Sequence, residues 1–114
     1  MKMMAYLRRE KETVEIDHSL NKVWTAISKV LTNLEWDVDQ IDEASHQVKA
    51  KTKSTLMSWG SLLLIEARAM DRNTTRVSVL AETPVTTITA MVELGRTKGR
   101  IDMFFAELAK ELTN

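Results

Sequence analysis

Met57–Thr83, MSWGSLLLIEARAMDRNTTRVSVLAET, reads as two long antiparallel strands joined by a tight turn. Leu63, Ile65, Ala67 and Ala69 point one way, and Leu64, Glu66, Arg68 and Met70 the other. After the reversal Val77, Val79, Ala81 and Thr83 continue the first face. An apolar set recurring at every second residue is what a pleated strand with one dry and one wet face requires. Asp71-Arg72-Asn73-Thr74 supplies the turn, because Asp and Asn side chains hydrogen-bond nearby backbone and tolerate unusual φ. Pro84 lacks a ladder donor and marks a strand end or a bulge.

Upstream, Val48, Ala50 and Thr52 alternate with Lys49, Lys51 and Lys53. Trp36 and Val38 alternate with acidic neighbours across a polar Glu43-Ala44-Ser45 turn, which predicts another hairpin. The outward lysines are read as solubilising an exposed sheet and discouraging edge pairing. Leu20, Val23, Trp24, Ile27, Leu31 and Leu34 recur at three- and four-residue spacing, so a helix over about 20–34 turns one stripe to the core. Asp17 or Ser19 is its expected N-cap, and Trp24 its largest core anchor. Val14 and Ile16 alternate with Thr13, Glu15 and Asp17 in a first strand; residues 1–12 are either a frayed start or an edge strand through Tyr6 and Leu7.

Downstream, Ile88, Ala90, Val92 and Leu94 alternate with Thr87, Thr89, Met91 and Glu93, which predicts a last strand. A helix over 86–94 is the competing reading, disfavoured because Thr and Val lose rotamer freedom in helices. Gly95 ends that strand and Gly99 loosens the turn after it. Ile101, Phe104, Phe105, Leu108 and Leu112 then form one stripe of a C-terminal helix over about 97–112. It must lie on the sheet to bury two phenylalanines, each worth about 1.5–3 kcal/mol. The expectation is an α+β fold of order β-α-β-β-β-β-β-α, as one domain over residues 1–114.

Composition narrows the functions. The chain has 114 residues, 44% hydrophobic and 28% charged, enough for one core without a metal or disulfide. Sixteen basic residues balance sixteen acidic ones, whereas a general polyanion binder carries an excess of Lys and Arg, so no nucleic-acid partner is expected. The absence of cysteine excludes disulfide and thiol chemistry. No apolar run reaches the roughly 18 residues of a membrane span. MKMMAYLRREKE has charges after its short apolar piece and no small-residue cleavage site, so no signal peptide is read and a cytoplasmic location is expected.

No nucleophile–base pair, metal-ligand cluster or phosphate loop stands in the sequence, so no catalytic residue, cofactor or metal is assigned. The two histidines, His18 and His46, lie far apart in the chain, and Asp37, Asp39, Asp42 and Glu43 lack the spacing of a calcium loop. This leans against an enzyme without deciding it. The stretch Ser54–Gly60 is unusual, because Leu56, Met57 and Trp59 are large apolar residues where connections are usually polar.

The order of elements resembles the helix-grip superfamily, the START-like or polyketide-cyclase-like (SRPBCC) proteins. Val14-Glu15-Ile16 followed by Lys22-Val23-Trp24-Thr25-Ala26-Ile27 is similar to that superfamily's opening strand and helix start. Ser58-Trp59-Gly60, Thr75-Arg76-Val77-Ser78-Val79, and Gly95-Arg96-Thr97-Lys98-Gly99-Arg100-Ile101 before Phe104-Phe105-Ala106-Glu107-Leu108 resemble a group of short bacterial and archaeal members. Glu93-Leu94-Gly95 stands where those chains usually have Asp-Trp-Gly. The resemblance implies a curved sheet gripping the C-terminal helix and an apolar ligand between them. Inward residues that are mostly Val, Ala, Ile and Thr leave either room for that ligand or a close seat for Phe104, Phe105 and Ile101; the filled core is the weightier expectation. The functional reading is a non-catalytic module binding a small apolar ligand; the alternative is a protein-interaction or structural module docking through the tip. The candidate contacts are Leu56, Met57, Trp59 and Phe104. The oligomeric state is left open.

Overall fold

The computed structural model describes residues 6–52, 61–85 and 90–113. In chain order they form β1 (Tyr6–Ile16), α1 (Leu20–Asn33), β2 (Asp37–Asp42), β3 (Gln47–Lys51), β4 (Leu62–Asp71), β5 (Thr74–Val85) and α2 (Ala90–Thr113). The strands make one curved antiparallel sheet in the order β1-β5-β4-β3-β2. Strands β2 to β5 follow one another as a meander, and α1 carries the chain from one sheet edge to the other. The α+β class and the grip of sheet on C-terminal helix are as the sequence predicts.

Cross-strand partners share a face, so the register maps the inner surface row by row. One row runs Val14, Val77, Ala67; the next Glu12, Val79, Ile65, Val48; the third Glu10, Ala81, Leu63, Ala50. Both helices pack on this face, α1 over β4 and β5 and α2 over β5 and β1, and they also pack on each other. Val23, Ile27 and Val30 from α1 meet Ile101, Phe104 and Leu108 from α2 in one core, all essentially without exposure. Residues 6–12 are not frayed: from Tyr6 onward β1 pairs with β5. Its inner face turns acidic at Glu10 and Glu12, which are half-buried.

Local chemistry sets the element ends. Ser19 caps α1 by accepting from the Lys22 amide, and the helix closes with paired bonds from Glu35 N to Thr32 O and from Trp36 N to Leu31 O. That closure puts Glu35 in the left-handed region at φ 58°, the position glycine usually fills. Asp71 and Thr74 face each other across the β4–β5 turn, and the Asp71 side chain accepts from the Asn73 amide.

One element departs from expectation. Over Ala90–Leu94 the predicted strand gives way to helix, because these residues belong to α2, a continuous helix that also runs through Gly95 and Gly99; residues 87–89 of that prediction lie outside the described residues. Among the described residues there are five strands where six are predicted. Two physical reasons favour the helix. Strand β5 is already paired on both sides, by β1 and β4, so no adjacent ladder slot is left for the segment that follows it. Extending an existing helix adds one hydrogen bond per residue without a new nucleation step. Among the described residues no helix is long and apolar enough to cross a membrane.

Candidate functional site

Consecutive residues on a helix diverge by about 100°, so Phe104 and Phe105 cannot both face the same way. Phe104 faces straight into the core and is fully buried. Phe105 packs against its edge, with ring centroids 5.4 Å apart and planes at 73°, and turns toward β1, where it is half-buried. There it borders a cleft of about 320 Å³ between β1 and α2, whose walls are mainly Val14, Ile16, Phe105, Leu108 and Leu112. The cleft is open to solvent at exposed Ala109 and Thr113. At the centre of the grip Ile101, Phe104 and Leu108 are buried in the core, and an open space borders it at the β1 margin.

The other end of the inner face is polar. Thr52 and Ser61 bond across the ends of β3 and β4, through Thr52 N to Ser61 O at 2.9 Å and Ser61 N to Thr52 Oγ1 at 2.8 Å. The Ser61 hydroxyl also bonds Thr83 and accepts from the Arg100 guanidinium, which reaches down from α2. Ser61 and Thr83 are fully buried, so this network satisfies groups that would be costly to bury unpaired. It also fixes the stem of the 53–60 connection. Leu56, Met57 and Trp59 themselves lie outside the described residues. Their stem stands beside Thr83, whereas the apolar cleft is at the Thr75 end of β5, eight residues or about 27 Å away.

The histidines do not meet. His18 follows β1 at one sheet edge, where its carbonyl accepts from Thr75 Oγ1 at 2.8 Å. His46 precedes β3 near the opposite edge and sits edge-on to Trp24, with centroids 5.2 Å apart. Trp24 is the core anchor the sequence predicts, and its indole N–H donates to Glu43 at 2.7 Å. Asp42 accepts from the amides of Ser45 and Ala44; these bonds, led by that from Ser45, hold its carboxyl below the usual carboxylate range. Two members of the acidic run thus have structural duties. Sequence reasoning assigned Phe104 as a contact, whereas the residue lining the described cleft is its neighbour Phe105. The signal was present in the angular offset of two adjacent aromatics on one helix.

No family model and no curated protein sequence matches the chain. Among solved structures, a truncated norcoclaurine synthase from Thalictrum flavum superposes with a TM-score of 0.74 at 10% identity, covering 98% of this chain and 97% of that one. The Zhui aromatase/cyclase from Streptomyces sp. R1128 gives 0.68 at 12% identity, over 93% and 94% of the two chains. A conserved protein from Geobacillus kaustophilus gives 0.56 at 12% identity, over 93% and 95%. At such identities the likeness is one of architecture. With five antiparallel strands gripping a long C-terminal helix, and neighbours of this kind over nearly its whole length, the chain has the helix-grip fold.

Proposed function

We propose that the protein is a non-catalytic binding module for a small apolar ligand held between the sheet and α2. The observation that carries this is the apolar cleft at the β1 margin, walled by Val14, Ile16, Phe105, Leu108 and Leu112. Its volume lies at the lower end of the 300–1,000 Å³ or so typical of ligand pockets. Phe104 contributes from behind, by fixing the ring of Phe105. A norcoclaurine synthase of similar fold has been crystallised in complex with dopamine and hydroxybenzaldehyde, which supports a small aromatic guest. The test is a titration with naphthalene and terpenoid alcohols, followed through the methyl NMR signals of Val14, Ile16 and Leu108. Shifts confined to these methyls are expected, and Ala109→Trp, which fills the cleft from an exposed position, removes them. Methyl signals that stay fixed with every compound refute the reading.

A second reading is favoured by the position of the stem. Because Thr52 and Ser61 anchor the 53–60 connection at the far end of β5 from the cleft, Leu56, Met57 and Trp59 are proposed as a separate contact surface for a protein partner. Leu56→Ser and Trp59→Ser would then abolish partner capture while leaving ligand shifts at Val14 intact; loss of both together would merge the two surfaces.

A further inference from the structure

A large open feature lies on the side of the sheet that faces away from both helices. It is a trough of about 840 Å³, and neither helix covers it. Its floor is apolar: Leu80 and Leu64 are cross-strand partners on β5 and β4. Their outer neighbours in the same row are Lys11 on β1 and Lys49 on β3. The row Lys11–Leu80–Leu64–Lys49 therefore crosses four strands, with the two lysine backbones three strand spacings, or about 14 Å, apart. Leu64, Leu80 and Lys49 are half-buried although nothing in the described chain lies over them.

The charges around this row are unequal in availability. Glu66 accepts from the Gln47 side-chain amide at 2.6 Å. Asp42 is occupied by the amides of Ala44 and Ser45 at 3.0 and 3.2 Å, and Glu43 by the Trp24 indole. All three bordering carboxylates thus have partners within the protein. Lys11 and Lys49 have neither a hydrogen bond nor an ion pair among the described residues. Lys49 is half-buried and Lys11 exposed; the partly desolvated ammonium of Lys49, which has no ion pair among the described residues, attracts an anion more strongly than the solvated one of Lys11 does.

We propose that this outer trough is a second binding site, for an elongated molecule with an acidic group at each end of an apolar body, such as an aliphatic α,ω-dicarboxylate. The apolar body lies on Leu80 and Leu64, and each carboxylate meets one lysine. A single acidic group would leave one ammonium unmatched. A second copy of the chain fits less well, because the carboxylates of its trough are already engaged and it would bring two more cations. The site is on the opposite face from the β1–α2 cleft and does not depend on it.

The test uses calorimetric titration of the full chain with dodecanedioate, 1,12-dodecanediol and dodecanoate, with methyl NMR of Leu64 and Leu80 as the locator. Dodecanedioate is expected to bind tightest, to shift those two methyl sets, and to weaken as salt screens the lysines. Lys11→Gln and Lys49→Gln should each weaken it about two- to fivefold and together about tenfold, with melting temperatures unchanged. Lys51→Gln, on the adjacent outer row, should leave it unaltered. The proposal is overturned if the dicarboxylate does not bind, if the diol binds equally well, or if Lys51→Gln weakens binding as much as Lys49→Gln does, which would indicate diffuse attraction. It is also overturned if the Leu64 and Leu80 signals broaden with protein concentration alone, which would place a second copy on this face.

Discussion

Phe104 and Phe105 differ by one position and by their whole energetic role. Phe104 is enclosed on every side by the core, so truncation removes its transfer energy and leaves a cavity. Phe104→Ala should cost about 3–5 kcal/mol in a denaturant melt, and Phe105→Ala less than half as much, because that ring is half-exposed at the cleft. Equal losses would show that the face of α2 is misassigned. Asp42 offers a pH test. Its carboxyl is held below the usual range by the amides of Ser45 and Ala44, with His46 adding a smaller attraction. A depressed carboxyl contributes stability that is present above the unfolded-state value and is lost as pH falls through the folded-state value. The stability gap between the native chain and Asp42→Ala should therefore narrow on acidification through the carboxylate range, and stay constant above it. A gap independent of pH would assign the role of Asp42 to shape alone.

Helix α2 contains the least expected sequence for its length. Gly99 sits in its interior, is exposed, and a Cβ built there meets nothing within 4 Å. No close approach demands a glycine, and its φ is not positive. Gly99→Ala should therefore stabilise the protein by about 0.5–1 kcal/mol, by lowering the conformational freedom of the unfolded chain and raising helix propensity. A lower melting temperature would mean that this turn of α2 is required to bend. Strand β1 shows the converse case, a long edge strand made safe by composition. Its Arg9, Glu10, Lys11 and Glu12 put charges on both faces, which discourages pairing with another sheet. Strand β2, at the opposite edge, is exposed throughout and carries a register shift between Val38 and Gln40, a second device with the same effect.

The sheet separates two proposed sites by its full thickness, and this gives a prediction about the molecule as a unit. Ala109→Trp should abolish binding of an uncharged apolar compound at the β1–α2 margin without altering dodecanedioate binding. The double variant Lys11→Gln, Lys49→Gln should do the reverse. Calorimetry of both variants with both probes checks this in four titrations; cross-effects larger than about 0.5 kcal/mol, the limit of additivity for distant sites, would show that the faces are coupled through the sheet.

Much of the architecture was legible in the residues, because periodicity and capping are local. The alternation in 61–83 placed Leu63, Ile65, Val77 and Val79 on the buried face, and the three- and four-residue spacing in 20–34 placed α1 with Ser19 at its start. The segment 87–94 was not legible in the same way. Its alternation of Ile88, Ala90, Val92 and Leu94 suits a strand, and only the pairing of β5 on both sides withholds a ladder to join. The cleft was equally hidden: which of two adjacent phenylalanines closes the core and which opens on β1 depends on how α2 sits across the sheet. The lysine-flanked row on the outer face depends on register, since Lys11 and Lys49 are 38 positions apart in sequence and become ends of one row only through three successive strand pairings. Local patterns report which side of an element is dry; which elements lie beside one another, and so which side chains share a site, is decided when the ladders close.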